Sequence, residues 1–125
     1  MGSYKVLVVD DSPFILKAVK RALEPNGFEI VGHGENGKLG LALYQQLKPD
    51  IITLDVTMPV MDGLETAKAL FQIDPSVKII MLSAMGDDDL ILSAKKIGIN
   101  NFISKPFKAD ELVKMANELL RSEQG

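Results

Sequence analysis

The sequence predicts a three-layer α/β/α sandwich on a five-stranded parallel sheet. Two observations carry that expectation. Five short apolar runs, partly β-branched, alternate with five segments whose apolar residues recur at helical spacing. Strands alternating with helices demand parallel pairing, right-handed crossovers and helices on both faces. The second observation is the run Ile51 to Leu54, which reads as the buried centre of a parallel sheet and yet ends in an acid, Asp55. Pro59 follows, and having no N–H to donate, it turns the chain out of the sheet.

In chain order, Lys5 to Val9 is the first strand, ending at Asp10 and Asp11. Ser12-Pro13 then supplies an N-cap and a proline at the first helical position. Ile15, Ala18, Val19, Ala22 and Leu23 mark the first helix, which Pro25-Asn26-Gly27 ends. Phe28 to Val31 reads as the second strand and Gly32 to Gly37 as its exit loop. Leu39, Leu41, Ala42, Leu43 and Leu47 form the second helix, closed by Pro49. After the central strand, Asp62 caps a third helix carrying Leu64, Ala67, Leu70 and Phe71. Val77 to Leu82 is the fourth strand, stopping at Ser83-Ala84-Met85-Gly86. Asp87, Asp88 and Asp89 crowd the start of a fourth helix, where negative charge offsets exposed backbone N–H groups. Asn101 to Ser104 is the fifth strand, Lys105-Pro106 follows it, and Leu112, Val113, Ala116, Leu119 and Leu120 form the last helix.

Composition narrows the function. The chain of 125 residues suits one domain, spanning 1–125, with a core that needs no staples. No cysteine means no disulfide, thiol nucleophile or cysteine metal site. A net charge of -3 argues against a broad nucleic-acid-binding face. The longest apolar runs are strand-sized, far short of the roughly 20 residues of a spanning helix. The opening residues hold no apolar signal core, and Val6 stands where a myristoylation motif wants Ser or Thr. A cytoplasmic protein is the expectation.

In open α/β sheets the site lies at the carboxyl ends of the strands. Asp10 and Asp11, Asp55, Ser83 and Lys105 end strands one, three, four and five. Neighbouring strands lie about 5 Å apart, so these side chains can share one mouth. Two unit charges about 4 Å apart interact with roughly 4 kcal/mol at an effective dielectric near 20, so three carboxylates there need a positive partner. Lys105 supplies one charge, and an all-oxygen acidic cup suits Mg2+. The single histidine, His33, reads as ordinary surface. Taken singly, Ser83, Lys105 and Phe102 each have ordinary readings as a polar helix leader, a turn lysine and a core aromatic.

Taken together, these residues resemble the receiver domain of two-component response regulators. The likeness rests on Asp10-Asp11, the Asp55, Pro59 and Gly63 spacing, Ser83-Ala84 after an apolar strand, and Lys105-Pro106 with Phe102 three residues before the lysine. It covers essentially the whole chain and is nearest to stand-alone regulators of the chemotaxis CheY type. The resemblance implies a flavodoxin-like strand order of 2-1-3-4-5 and a cis Lys105-Pro106 bond. It also implies that Asp55 is the phosphoacceptor, and that Asp11, Asp55 and the Thr57 carbonyl hold Mg2+, with Asp10 acting largely through water. Lys105 and Ser83 would bind the phosphoryl oxygens, and Ser83 and Phe102 would form the switch. Phe102 stands where tyrosine is commoner, so a readout through a phenolic hydroxyl is unavailable to it.

The implied partners are a histidine kinase or histidine phosphotransfer protein upstream and a downstream protein such as a flagellar switch component. The expected output surface is the fourth helix, fifth strand and fifth helix, tinted basic by Lys95, Lys96, Lys108 and Lys114. With no effector domain expected after Leu120, output by a monomer through binding follows, and the chain is no enzyme beyond its own phosphorylation and dephosphorylation. Other readings are a phosphorelay intermediate, a docking module that is never phosphorylated, a Mg2+-dependent phosphohydrolase and a flavin module. The phosphohydrolase wants an acid where Thr57 stands, and the flavin module wants a Ser/Thr/Gly-rich loop after the first strand.

Overall fold

A computed structural model describes residues 3–122. Gly2, where a myristoylation motif would begin, and residues 123–125 lie outside them. The elements run β1 (Tyr4–Val9), α1 (Pro13–Leu23), β2 (Phe28–Gly34), α2 (Gly37–Leu47), β3 (Ile51–Asp55), α3 (Gly63–Ile73), β4 (Ile79–Ser83), α4 (Asp88–Ile97), β5 (Phe102–Ser104) and α5 (Ala109–Ser122). The sheet is parallel throughout and ordered β2-β1-β3-β4-β5, as the resemblance implies. The cis Lys105-Pro106 bond is present.

Strand alternation divides the core between two faces. Val6, Val8, Ile51, Ile80, Leu82 and Ile103 point to a layer built by α1 and α5, where they meet Val19, Leu23, Leu112 and Ala116. Leu7, Val9, Ile52, Leu54, Ile79 and Met81 point the other way, to Tyr44, Ala67, Leu70 and Ala94 of α2, α3 and α4. Both sets are buried, and each fully buried aliphatic side chain contributes about 1.5–3 kcal/mol. β1, β3 and β4, covered on both sides, therefore read in the sequence as nearly continuous apolar runs.

Capping follows the expected chemistry at three helices. Ser12, Asn36 and Asp62 accept hydrogen bonds from the backbone N–H groups of Ile15, Leu39 and Glu65. At α4 the acids divide their work differently from the expectation. Asp88 and Asp89 occupy the first turn, whereas the Asp87 carboxylate turns back to accept from the Ala84 N–H at 2.7 Å, tightening the loop after β4.

Two strand boundaries differ from the sequence reading by two residues or more, and the starts of β1 and β5 differ by one. β4 begins at Ile79, two residues late, because Val77 is held by its N–H to the Asp74 carbonyl in the preceding turn. β2 runs on to Gly34, so most of the expected exit loop is strand. A bulge makes this possible: Val6 pairs with Ile30 and Leu7 with Gly32, leaving Val31 as an extra residue.

One buried group stands out. Thr53 is fully buried in β3, and its hydroxyl has no hydrogen-bond partner among the described residues. A hydroxyl stripped of water without a partner opposes folding. Thr53→Val, which keeps the shape, is expected to raise stability by about 1 kcal/mol, read as a higher urea midpoint at unchanged slope.

Candidate functional site

The same alternation that builds the core aims the charged residues. Asp10 continues the row of Val6 and Val8, Asp55 the row of Ile51 and Thr53, and Lys105 the row of Ile103. Three charged side chains consequently emerge on one face at the carboxyl edge of adjacent strands. Lys105 Nζ lies 3.1 Å from Asp10 Oδ2 and 3.1 Å from Asp55 Oδ1, bridging the two acids. Asp10 is fully buried and Asp55 nearly so, while Asp11 is exposed. Each of Asp10, Asp11 and Asp55 offers an oxygen within 4.8 Å of the others.

The electrostatics follow from that crowding. Burial, and then repulsion from Asp10, push the Asp55 carboxyl above its ordinary value, against the downward pull of Lys105 and the Thr57 N–H. For Lys105, burial alone would lower the ammonium's value. Attraction to Asp55 and Asp10 outweighs it, and the net shift is upward. One ammonium thus serves an acid set that still carries excess negative charge. All the side-chain donors are hard oxygens, and Asp11 is open to solvent. That is the chemistry of a Mg2+ site made of a few carboxylates and retained water.

Asp10 itself is held from every side. Its Oδ1 accepts from the Ser12 N–H at 2.9 Å, its N–H donates to the Gly34 carbonyl at 3.0 Å, and His33 Nε2 lies 2.8 Å from its carbonyl oxygen. His33 is therefore half-buried beside the site, which corrects its reading as ordinary surface. The sequence reading ends this strand at Val31, three residues short of its observed end. Continued to Gly34, β2 sets His33 opposite Val8, one rung from the acids.

Ser83 belongs to the opposite row, with Ile79 and Met81, on the α4 face. It is buried, and no hydrogen bond joins its hydroxyl to Asp55 among the described residues. Beside it lies a cleft of about 280 Å³ lined by Met85, Ile91, Ser104 and Lys105. Phe102, paired with Met81, packs half-buried against that same α4-side core, and the Lys95 ammonium sits 5.9 Å from its ring centre. Thr57 is exposed, and its N–H points to Asp55 Oδ1 at 3.4 Å.

The loop after β3 is drawn tight over Asp55. Val60 takes φ 69°, with the Met61 N–H donating to the Pro59 carbonyl at 2.7 Å, a strained turn for a β-branched residue. Gly63 closes the loop by donating to the Val56 carbonyl at 3.0 Å. Phe14, Val60 and Met85, 79%, 77% and 99% exposed, stand on the segments that follow β1, β3 and β4 around the mouth.

A buried acid bridged by a lysine to a second acid, at the carboxyl edge of a 2-1-3-4-5 parallel sheet, is the arrangement that the receiver resemblance implies. The chain belongs to the response regulator receiver domain family, matching it over residues 6–117. Among its relatives, it is 41% identical to the chemotaxis protein CheY of Bacillus subtilis over 94% of this chain and 98% of that one. It is 45% identical to the chemotaxis protein CheY of Listeria monocytogenes, over 87% and 92%. Among solved structures it resembles a chain of the CheX-CheY-BeF3-Mg+2 complex from Borrelia burgdorferi, with a TM-score of 0.87 and 30% identity over 94% of this chain and 89% of that one. A receiver domain protein from Clostridium thermocellum gives a TM-score of 0.89 at 28% identity, with 97% of both chains covered. No helix among the described residues is long and apolar enough to cross a membrane.

Proposed function

We propose that this chain is a cytoplasmic, monomeric response regulator that takes a phosphoryl group onto Asp55 and passes the signal by binding another protein, in chemotaxis. The observation that carries the reading is the lysine bridge between Asp10 and Asp55 within a three-carboxylate cup. The donor is the phosphohistidine of a kinase or phosphotransfer protein. A carboxylate oxygen of Asp55 bonds to phosphorus as the phosphorus–nitrogen bond breaks, and the leaving imidazole keeps the electron pair. Asp10, Asp11, Asp55 and the Thr57 carbonyl would hold Mg2+, with Asp10 contributing largely through water; the ion would neutralise charge on the transferring group.

The chain's own residues then make the switch. Phosphorylation replaces one carboxylate by a group of about two negative charges. Lys105 shifts its partnership from the acids toward a phosphoryl oxygen. Ser83, with a cleft beside it, turns its hydroxyl to another, and Phe102 moves into the space this leaves. Charge-assisted hydrogen bonds are worth about 1.5–3 kcal/mol each, so with Lys105 exchanging partners and Ser83 gaining one, the conformational equilibrium shifts by about tenfold to several hundredfold. α4, β5 and α5 carry the change to a downstream partner such as a flagellar switch component. Likeness along nearly the whole length of CheY proteins supports output by binding.

The test is intact mass after incubation with acetyl phosphate. With Mg2+ the protein is expected to gain one phosphoryl group, and with EDTA to gain none. Gain independent of the ion would contradict the metal's part in the reaction. Failure of both acetyl phosphate and a competent kinase to modify the protein would favour a fixed docking module.

A further inference from the structure

We infer that His33 is a positioning residue for the metal site, its imidazole fixing the Asp10–Asp11 peptide and thereby aiming the Asp11 carboxylate. This rests on the proposed Mg2+ reading. Regular pairing ends where it is needed most. Asp10 donates to Gly34 as the last rung of the β1–β2 ladder, and the next rung would bring the Asn36 N–H to the Asp10 carbonyl. Asn36 is instead the N-cap of α2, its side chain accepting from Leu39 at 2.9 Å, and the chain has turned away. His33 Nε2 takes over the missing donation at 2.8 Å. A carbonyl oxygen only accepts, so Nε2 carries the proton.

The bulge explains why a histidine is available there. Phe28 and Ile30 face the α1 and α5 layer, and unbroken alternation would send residue 32 the same way and residue 33 to the opposite face. The extra Val31 reverses the alternation. A Cβ on Gly32 would meet Leu47 and Leu7 on the α2 side, and His33 pairs with Val8 on the face that carries Asp10. Bulges beside functional sites re-aim a side chain in this way. Asp11 is exposed and its carboxylate makes no hydrogen bond among the described residues, so the backbone that His33 holds is what fixes the Cα–Cβ direction from which that carboxylate reaches the ion. Mg2+ tolerates little departure from octahedral geometry, which makes that direction consequential.

The experiment is a two-dimensional 1H–15N NMR titration with Mg2+, following the Asp11 amide in wild type, His33→Leu, His33→Asn and His33→Gln. Glutamine places an amide donor near the position of Nε2, whereas asparagine is too short to reach. His33→Leu and His33→Asn are expected to weaken Mg2+ affinity about tenfold. His33→Gln is expected to recover most of that loss. Without the ion, the Asp11 nitrogen resonance should move in the first two variants and return in the third. Wild type that binds no Mg2+ would remove the metal reading itself. Wild type that binds, with His33→Leu and His33→Asn binding equally well, overturns the positioning role alone. So does a glutamine variant as weak as asparagine with an unrestored Asp11 resonance. Should the leucine variant not fold, the asparagine and glutamine pair decides the question.

Discussion

Lys105→Met is expected to destabilise the protein by about 3–5 kcal/mol at neutral pH, because it leaves the buried Asp10 and Asp55 carboxylates facing each other without a cation. Methionine keeps most of the aliphatic stem, so the loss reports the charge. Its pH dependence has a definite sign. Burial and Asp10 already raise the Asp55 value above 3.8, and removing the lysine's opposing pull raises it further. A carboxyl raised in the native state holds a proton that the unfolded chain has released. Native stability therefore falls as pH climbs from the ordinary carboxylate range through the native value. The deficit of the variant should be largest at neutral pH and shrink on acidification toward 3.8. Added Mg2+ at neutral pH should narrow it too, since an ion that binds only the native state stabilises it, and binds more tightly where no ammonium competes for Asp10 and Asp55. Urea denaturation at neutral and mildly acidic pH checks this. A deficit that holds constant or grows on acidification would contradict the electrostatic account. In the wild type the lysine's own contribution is present below 10.5 and is lost only as pH rises through its raised native value.

Gly63→Ala is expected to cost about 3 kcal/mol and to slow phosphorylation, linking loop packing to chemistry. A Cβ at Gly63 would lie 2.7 Å from Val56 Cα and closer still to the Asp55 carbonyl oxygen. Both are backbone atoms, so no rotamer change relieves the clash. The reason for glycine here is close approach of the loop to the backbone of Asp55 and Val56. Thermal unfolding with the rate of acetyl phosphate labelling measures both effects. A variant of wild-type stability and rate would show that the loop is freer than its bond from Gly63 to Val56 implies.

Much of this architecture was legible because core and site obey one rule. Strands buried on both faces must be apolar, so an acid ending such a strand, as Asp55 does, is conspicuous. The order of Asp10-Asp11, Asp55, Ser83 and Lys105 along the chain then marks one sheet edge. The division of labour between faces was less visible. Asp10, Asp55 and Lys105 share the α1 and α5 side, while Ser83 and Phe102 lie toward α4, a distinction that needs strand register. The end of β2 is invisible in the sequence because Gly32-His33-Gly34 lacks the apolar, β-branched side chains that announce a strand, and its pairing depends on the distant β1. The bulge at Val31 is a tertiary choice with no local signature, and without it His33 has no visible purpose. Asp87, one of three successive acids, could not be told from its neighbours by charge alone; only the turn of the loop gives it the Ala84 N–H.

The most direct measurement locates the phosphoryl group. After labelling with acetyl phosphate and Mg2+, borohydride reduces an aspartyl phosphate to homoserine, and peptide mass spectrometry then reads its position. The account predicts homoserine at position 55, and none anywhere in Asp55→Asn treated identically. Homoserine at position 10 or 11 in the wild type, or labelling that survives Asp55→Asn, would contradict it.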